Sequence, residues 1–154
     1  MKIINATLCY IQTEESTLML HRVKKENDIH QDKWNGLGGK FESGESPEEC
    51  LEREIKEESG LTLHSYRLAG LLTFPKFDGI HDWQVFLYQA TEFSGELLNS
   101  DEGTLKWIPT NELLDLNLWQ GDKYFIKWML EGKFFSAKFI YEAKKLVDYS
   151  VRFY

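Results

Sequence analysis

Short runs of alternating apolar and polar residues recur along the chain and predict that much of it forms strands. Two such runs, residues 3–11 and 18–23, flank the polar residues 13–16 and indicate a hairpin. Further strands are predicted at residues 66–74, 82–90, 104–108, 134–141 and 146–153, the last two as a second hairpin. Polar residues 24–33 and 92–103 predict loops.

One helix is predicted by the signals at both of its ends. Ser46 is placed as the N-cap, and Pro47 suits the first helical position. Glu49, three residues after the cap, completes a capping box, and Gly60 ends the helix.

A second helix is predicted over residues 122–130, where apolar side chains repeat at helical spacing and Asp122 is placed as the N-cap. A shorter helix is predicted at residues 109–116. Strands mixed with two substantial helices indicate the α/β class with a mixed sheet. At 154 residues, 42% of them hydrophobic, the chain is expected to form one domain, residues 1–154.

The charges of the first helix are arranged in a way that helical electrostatics alone does not favour. Its last turn carries Glu57 and Glu58 beside the negative end of the macrodipole. Together with Glu54 they stand at i, i+3 and i+4, so three carboxylates share one face of the helix. Each misplaced charge destabilises the helix by ~0.3–1 kcal/mol. A hard divalent cation bound among the carboxylates would make their clustering favourable. Mg²⁺, or Mn²⁺ in its place, suits such oxygen ligands. The alternative is a solvated acidic helix face.

The composition excludes some classes of partner. A net charge of −7 argues against gripping duplex nucleic acid by phosphate neutralisation. The two cysteines, Cys9 and Cys50, have neither metal nor disulfide spacing, which indicates a reducing compartment. The sequence shows neither a secretion signal nor a run of ~20 apolar residues, so we expect a cytoplasmic protein without membrane contact.

Residues 39–61, which enclose the first predicted helix, also carry a pattern of fixed spacing. Gly39, Glu45 and the stretch Arg-Glu-Ile-Lys-Glu-Glu-Ser-Gly-Leu at residues 53–61 match GX5EX7REUXEEXGU at every specified position. This segment resembles the Nudix box. The resemblance implies an α/β/α sandwich and Mg²⁺-dependent hydrolysis of a nucleoside diphosphate linked to another group.

The resemblance also implies roles for individual residues. Glu57 and Glu58 are expected as the principal metal ligands, and Glu54 as a further ligand or as the group that orients the attacking water. The backbone carbonyl of Gly38 is expected to face the metal. Arg53 is expected to orient the catalytic carboxylates, with direct phosphate contact as the alternative.

Two further glutamates lie outside the helix. By the same resemblance, Glu45 braces the loop before it. The box does not specify the general base, and Glu102, in the SDEG stretch at residues 100–103, is expected as a base or an additional ligand. The alternative for Glu102 is an exposed acidic loop.

Four segments extend the resemblance over almost the whole chain: WNGLGGK at residues 34–40, SDEG at 100–103, LWQGD at 118–122 and FFSAKF at 134–139. They are similar to the MutT branch that hydrolyses oxidised purine nucleotides, which includes the animal enzyme and streptococcal MutX proteins. The likeness implies that Asn35 hydrogen-bonds the purine edge, Trp119 stacks on the base, and Asp122 reads the ring. The animal enzyme has two adjacent aspartates after the tryptophan, and in this chain Gly121 occupies the place of the first.

Each of these residues has a structural alternative. Asn35 could be a turn residue, Trp119 ordinary core, and Asp122 only a helix cap. Lys25 is expected to reach a phosphate or the purine, with a solvated lysine as the alternative. The four histidines share no metal spacing and are assigned no role.

The sequence therefore predicts an 8-oxo-dGTP diphosphatase-like enzyme that cuts a purine nucleoside triphosphate into monophosphate and pyrophosphate. Its partner is a small-molecule nucleotide, and it acts as a monomer or homodimer. The enzymatic alternative is a Nudix hydrolase of ADP-ribose, a dinucleoside polyphosphate or an RNA 5′ end. A Nudix-fold sensor that binds without cutting is the third possibility, against which the retained box glutamates argue.

Overall fold

The computed structural model describes residues 2–23, 27–98 and 103–154, which form eight strands, two α-helices and one 3-10 helix. The strands are β1 (Ile3–Gln12), β2 (Ser16–His21), β3 (Trp34–Asn35), β4 (Thr62–Phe74), β5 (Asp82–Ser94), β6 (Thr104–Pro109), β7 (Phe135–Glu142) and β8 (Lys145–Phe153). The helices are α1 (Pro47–Ser59) and α2 (Gln120–Leu130), with the 3-10 helix at Thr110–Asp115 before α2.

The strands form one mixed sheet in the order β3-β2-β1-β5-β4-β7-β8, and β6 pairs with β2. The pairs β1–β5 and β4–β7 are parallel, and the other strand pairs are antiparallel. The two predicted hairpins are confirmed as β1–β2 and β7–β8.

Two hydrophobic cores lie on opposite faces of this sheet. Consecutive residues of β1 alternate between them, with Tyr10 in one core and Cys9 in the other. The helix α2 packs Phe125 into the first core, and α1 packs Leu51 and Ile55 into the second. The predicted α/β/α sandwich is confirmed.

The local signals of α1 act as the sequence predicts. The Ser46 side chain accepts a hydrogen bond from the Glu49 backbone N–H at 3.1 Å, and the Glu49 carboxylate accepts one from the Ser46 N–H at 2.9 Å. Gly60 ends the helix in the left-handed region at φ 79°, which costs glycine little. These caps fix where the acidic face of α1 begins and ends.

Several predicted boundaries are wrong, and β4 begins at Thr62 rather than at residue 66. The strand β5 continues to Ser94 through residues predicted as loop, because it pairs there with β4 from Thr62 onward. The helix α2 begins at Gln120 with Trp119 as its N-cap, and no side-chain hydrogen bond caps it. Asp122 is therefore in the first turn of the helix, where it is buried, and its predicted capping role is wrong.

Across the described ranges, the helices are too short or too polar to cross a membrane.

Candidate active site

A cleft of about 610 Å³ reaches from the acidic face of α1 to the N-terminus of α2. Its size is ordinary for a small-molecule site. Six of the predicted site residues line it: Asn35, Gly38, Glu54, Glu58, Trp119 and Asp122. The fold thus brings together residues that are up to 87 positions apart, from Asn35 to Asp122. Lys25 and Glu102 lie outside the described residues.

Arg53 organises the acidic end of the cleft. Its guanidinium donates to both carboxylate oxygens of Glu45, at 2.7 and 2.9 Å, and to the backbone carbonyl of Lys40 at 3.1 Å. The same group donates to Glu54 at 2.8 Å and to Glu57 at 3.3 Å. A planar fork with several donors can hold these partners at once, whereas an ammonium cannot.

The ion pair with Arg53 changes the ionisation of Glu45. The Arg53 hydrogen bonds, joined by the backbone N–H of Glu42, lower the pKa of Glu45 to about 2. The pKa of Arg53 is raised in turn, chiefly by its hydrogen bond to Glu45. Both groups are therefore charged throughout the neutral range, so the ion pair that joins the loop to α1 does not titrate there.

The glycines before α1 let its carboxylates approach the backbone closely. The backbone N–H of Gly38 donates to Glu58 at 3.2 Å. A Cβ atom at Gly39 would collide with the carboxyl group of Glu54. Glu57 is not among the residues that line the cleft; its side chain is 61% exposed and accepts from Arg53 at 3.3 Å.

The donors at this end are chemically suited to a hard divalent cation. Within residues 2–23, 27–98 and 103–154, no three acidic, histidine or cysteine side chains form a ready-made metal cage. Arg53 and the Gly38 N–H hold the carboxylates of Glu54 and Glu58 instead. Carboxylate and carbonyl oxygens, completed by water and substrate phosphate, are the ligands that Mg²⁺ takes, so the residues present fit such an ion.

Asn35 and Asp122 give the opposite end of the cleft a polar floor. Asn35 lies in β3, so its alternative role as a turn residue is wrong. Its Oδ1 atom is buried and has no hydrogen-bond partner in the described part of the chain, an arrangement that leaves an acceptor for a ligand. Burial raises the pKa of Asp122 to about 8, against an opposing effect of Lys33, so its carboxyl group is protonated at neutral pH.

Trp119 is both core and cleft wall. The ring is 4% exposed, packs in the core with α2, and lines the cleft. Phe77 and Tyr141 meet it edge to face at centroid distances of 4.9 and 5.5 Å. Its indole N–H donates to Nδ1 of His30 at 2.8 Å. The two alternatives for this residue are therefore compatible.

The cleft residues that the sequence prediction missed include three rings around Trp119: His30, Phe77 and Tyr141. Tyr141 could have been found, because it alternates with Phe139 on the inward face of the predicted strand. His30 lies in a polar loop without periodicity, and Phe77 in a connection between strands, so neither carried a signal.

Gly121 has a steric reason to differ from the animal pattern. Its backbone N–H donates to the hydroxyl of Tyr141 at 2.7 Å. A Cβ at this position would come within 2.8 Å of both that hydroxyl and the ring of Phe139. A second aspartate beside Asp122 therefore has no room in this chain.

Comparison with known proteins agrees with this geometry. Residues 2–129 match the profile of the NUDIX domain. The uncharacterized Nudix hydrolase YvcI of Bacillus subtilis (strain 168) is 32% identical over 131 residues, which cover 82% of the chain and 79% of that protein. The oxidized purine nucleoside triphosphate hydrolase of Danio rerio is 29% identical over 123 residues, covering 80% of the chain and 79% of that protein. The crystal structure of the MutT protein from Bacillus halodurans superposes with a TM-score of 0.86 at 31% identity, over 96% of the chain and 97% of that structure.

Proposed function

We propose that this chain, which belongs to the Nudix family and is a hydrolase, cleaves 8-oxo-dGTP into the monophosphate and pyrophosphate. Nudix hydrolases act on small nucleotides and generally use a divalent metal. One observation carries the proposal: a single cleft has carboxylates at one end and polar and aromatic side chains at the other. The relative from Danio rerio, named for oxidised purine nucleoside triphosphates, supports the same substrate class.

At the acidic end, Glu54, Glu57, Glu58 and the Gly38 carbonyl would hold Mg²⁺, or Mn²⁺ in its place. A cation bound there supplies neutralisation of phosphate charge and a water of lowered pKa. Arg53 keeps Glu54 and Glu57 in place, since its fork already binds both.

Two residues outside the described ranges complete the proposal. Glu102 is proposed as the general base or a further metal ligand, and Lys25 as a contact to phosphate or purine. Both follow from the resemblance to MutT proteins.

At the opposite end, hydrogen-bond chemistry favours an oxidised purine. A protonated Asp122 can donate to one atom and accept from its neighbour. The Hoogsteen edge of 8-oxoguanine offers the O6 acceptor beside an N7–H donor, whereas guanine offers two acceptors. Asn35 presents an unpartnered oxygen for a further N–H of the base. Trp119 lines the same cleft, and stacking of a base on an aromatic ring is worth ~1–3 kcal/mol.

The test is a substrate panel with Mg²⁺ in which the loss of each substrate and its products, including pyrophosphate, are quantified by chromatography. The panel holds 8-oxo-dGTP, dGTP, ADP-ribose, a dinucleoside polyphosphate and an RNA with a 5′-triphosphate. The proposal predicts that 8-oxo-dGTP has the highest kcat/KM and yields pyrophosphate. Equal turnover across the panel, or turnover only of ADP-ribose, contradicts it, and nucleotide binding without any turnover supports a sensor.

A further inference from the structure

We propose that His30 is a positioning residue of the base site, which fixes the orientation of the Trp119 indole through a hydrogen bond. The inference rests on the proposed function only in requiring that a nucleotide base stacks at Trp119. It assigns a role to a loop residue that the sequence left without one, and it connects the loop before β3 with the start of α2.

The contact between the two rings is directional. Nε1 of Trp119 lies 2.8 Å from Nδ1 of His30, and the rings meet at 84° with centroids 5.6 Å apart. An indole N–H can only donate, so Nδ1 of His30 must be the acceptor and carries no proton. The tautomer of His30 is therefore fixed with its proton on Nε2.

His30 is itself held in place from two sides. Its backbone N–H donates to Asp28 at 3.1 Å, and Asp28 forms an ion pair with Arg22 at 2.8 Å. Its ring stacks on Phe77 at a centroid distance of 5.9 Å and an interplanar angle of 20°. Phe77 also contacts Trp119, so the three rings form a closed set in which moving one displaces the others.

A second contact joins the same loop to the tryptophan. Lys33 donates to the side chain of Asn117 at 3.2 Å, and its ammonium lies 5.2 Å from the centroid of the Trp119 ring. The cation attracts the face of the indole but does not fix its rotation in the plane. The hydrogen bond to His30 supplies that remaining constraint.

The histidine keeps its acceptor at working pH. Burial is the main cause that lowers the pKa of His30 to about 4, and Arg22 acts in the same direction against Asp28. A neutral ring accepts from the indole, whereas a protonated one would present two donors. Since Trp119 is almost fully buried, its N–H has no ready access to bulk water if His30 is lost.

A nuclear magnetic resonance experiment tests the hydrogen bond without substrate. The five tryptophans give indole N–H signals in a ¹H–¹⁵N spectrum, and the signal absent in Trp119→Phe identifies Trp119. His30→Phe should shift that signal, because the indole N–H has lost its hydrogen-bond acceptor. His30→Asn can place an oxygen near the former Nδ1, so the Trp119 signal should stay close to its wild-type position. His64→Phe, on the exposed side of β4, is the matched control. An unshifted Trp119 signal in His30→Phe overturns the proposal.

A kinetic double-mutant cycle tests the positioning role. His30→Phe should raise KM about five- to tenfold with less than a twofold change in kcat, as expected for one lost hydrogen bond in the base site. His30→Asn should stay within about threefold of the wild type. In the Trp119→Phe background, where the donor is absent, adding His30→Phe should raise KM by less than about twofold.

Equal losses in His30→Phe and His30→Asn, or an undiminished loss in the Trp119→Phe background, would mean that His30 only fills space. The cycle is run on whichever panel nucleotide the wild type cleaves best. A wrong substrate assignment therefore leaves the test of His30 intact, and the spectroscopic experiment decides the case of no turnover.

Discussion

At the scale of single residues, Arg53 holds the acidic site together. One guanidinium braces the loop through Glu45 and reaches Glu54 and Glu57 on its own helix. The sequence alone identified the acidic face, because charges at i, i+3 and i+4 are a local pattern. It could not show that Glu54 and Glu57 share one nitrogen of the Arg53 guanidinium, since that depends on how the loop places Glu45 beside α1.

We predict that Glu57→Gln and Glu58→Gln each lower kcat by about 100-fold or more, because each removes a charged ligand of the proposed cation. The measurement is steady-state hydrolysis of 8-oxo-dGTP with Mg²⁺, together with Mn²⁺ binding followed by electron paramagnetic resonance. Glu52→Gln is the matched control, since Glu52 lies on the same helix but accepts from Tyr66. Unchanged turnover in Glu57→Gln would remove this residue from the ligand set.

Asp122 should give the protein a distinctive dependence of stability on pH. Burial raises its pKa to about 8, whereas an unfolded aspartate has a pKa of ~3.9. Between these values the folded state holds a proton that the unfolded state has released, so the free energy of unfolding falls as pH rises, by at most ~1.4 kcal/mol per pH unit.

The expected result is that Asp122→Asn is less sensitive to pH than the wild type from pH 5 to pH 8. Urea unfolding at each pH measures the difference. Asp115→Asn, an exposed change at the end of the 3-10 helix, should keep the wild-type slope. Parallel curves for the wild type and Asp122→Asn would show that this carboxyl group ionises normally in the folded protein.

At the scale of elements, the sequence predicts α1 better than α2. Every signal of α1 is local, from the cap at Ser46 to Gly60, and the structure has them all. The start of α2 depends on partners far along the chain, because Tyr141 of β7 accepts from Gly121 and the turn buries Asp122. A cap assigned from residue type alone could not include that contact, and it placed the N-cap at Asp122, three residues after Trp119.

The reciprocal capping box predicts a measurable share of stability. Ser46→Ala should lower the free energy of unfolding by about 1 kcal/mol, because the Glu49 N–H loses its acceptor. Thermal or urea unfolding provides the value. Ser43→Ala, an exposed change in the same loop, should stay within about 0.5 kcal/mol of the wild type. Equal effects of the two changes would show that the cap contributes little here.

At the scale of the whole molecule, the cleft is a product of tertiary packing. The residue types that line it were predictable, because the Nudix pattern and the MutT likeness named Asn35, Trp119 and Asp122. The aromatic set of His30, Phe77 and Tyr141 around the tryptophan was not, because a loop, a strand connection and β7 meet there only after the sheet has formed. The packing around Trp119 therefore depends on contacts that sequence spacing does not encode.

The most direct test of the central claim is a crystal structure with Mn²⁺ and a non-hydrolysable analogue of 8-oxo-dGTP, in which anomalous scattering locates the metal. We predict Mn²⁺ between the α1 carboxylates and the Gly38 backbone, with the base stacked at Trp119 and hydrogen-bonded to Asn35 and Asp122. Mn²⁺ bound elsewhere, or a base outside this cleft, would contradict it.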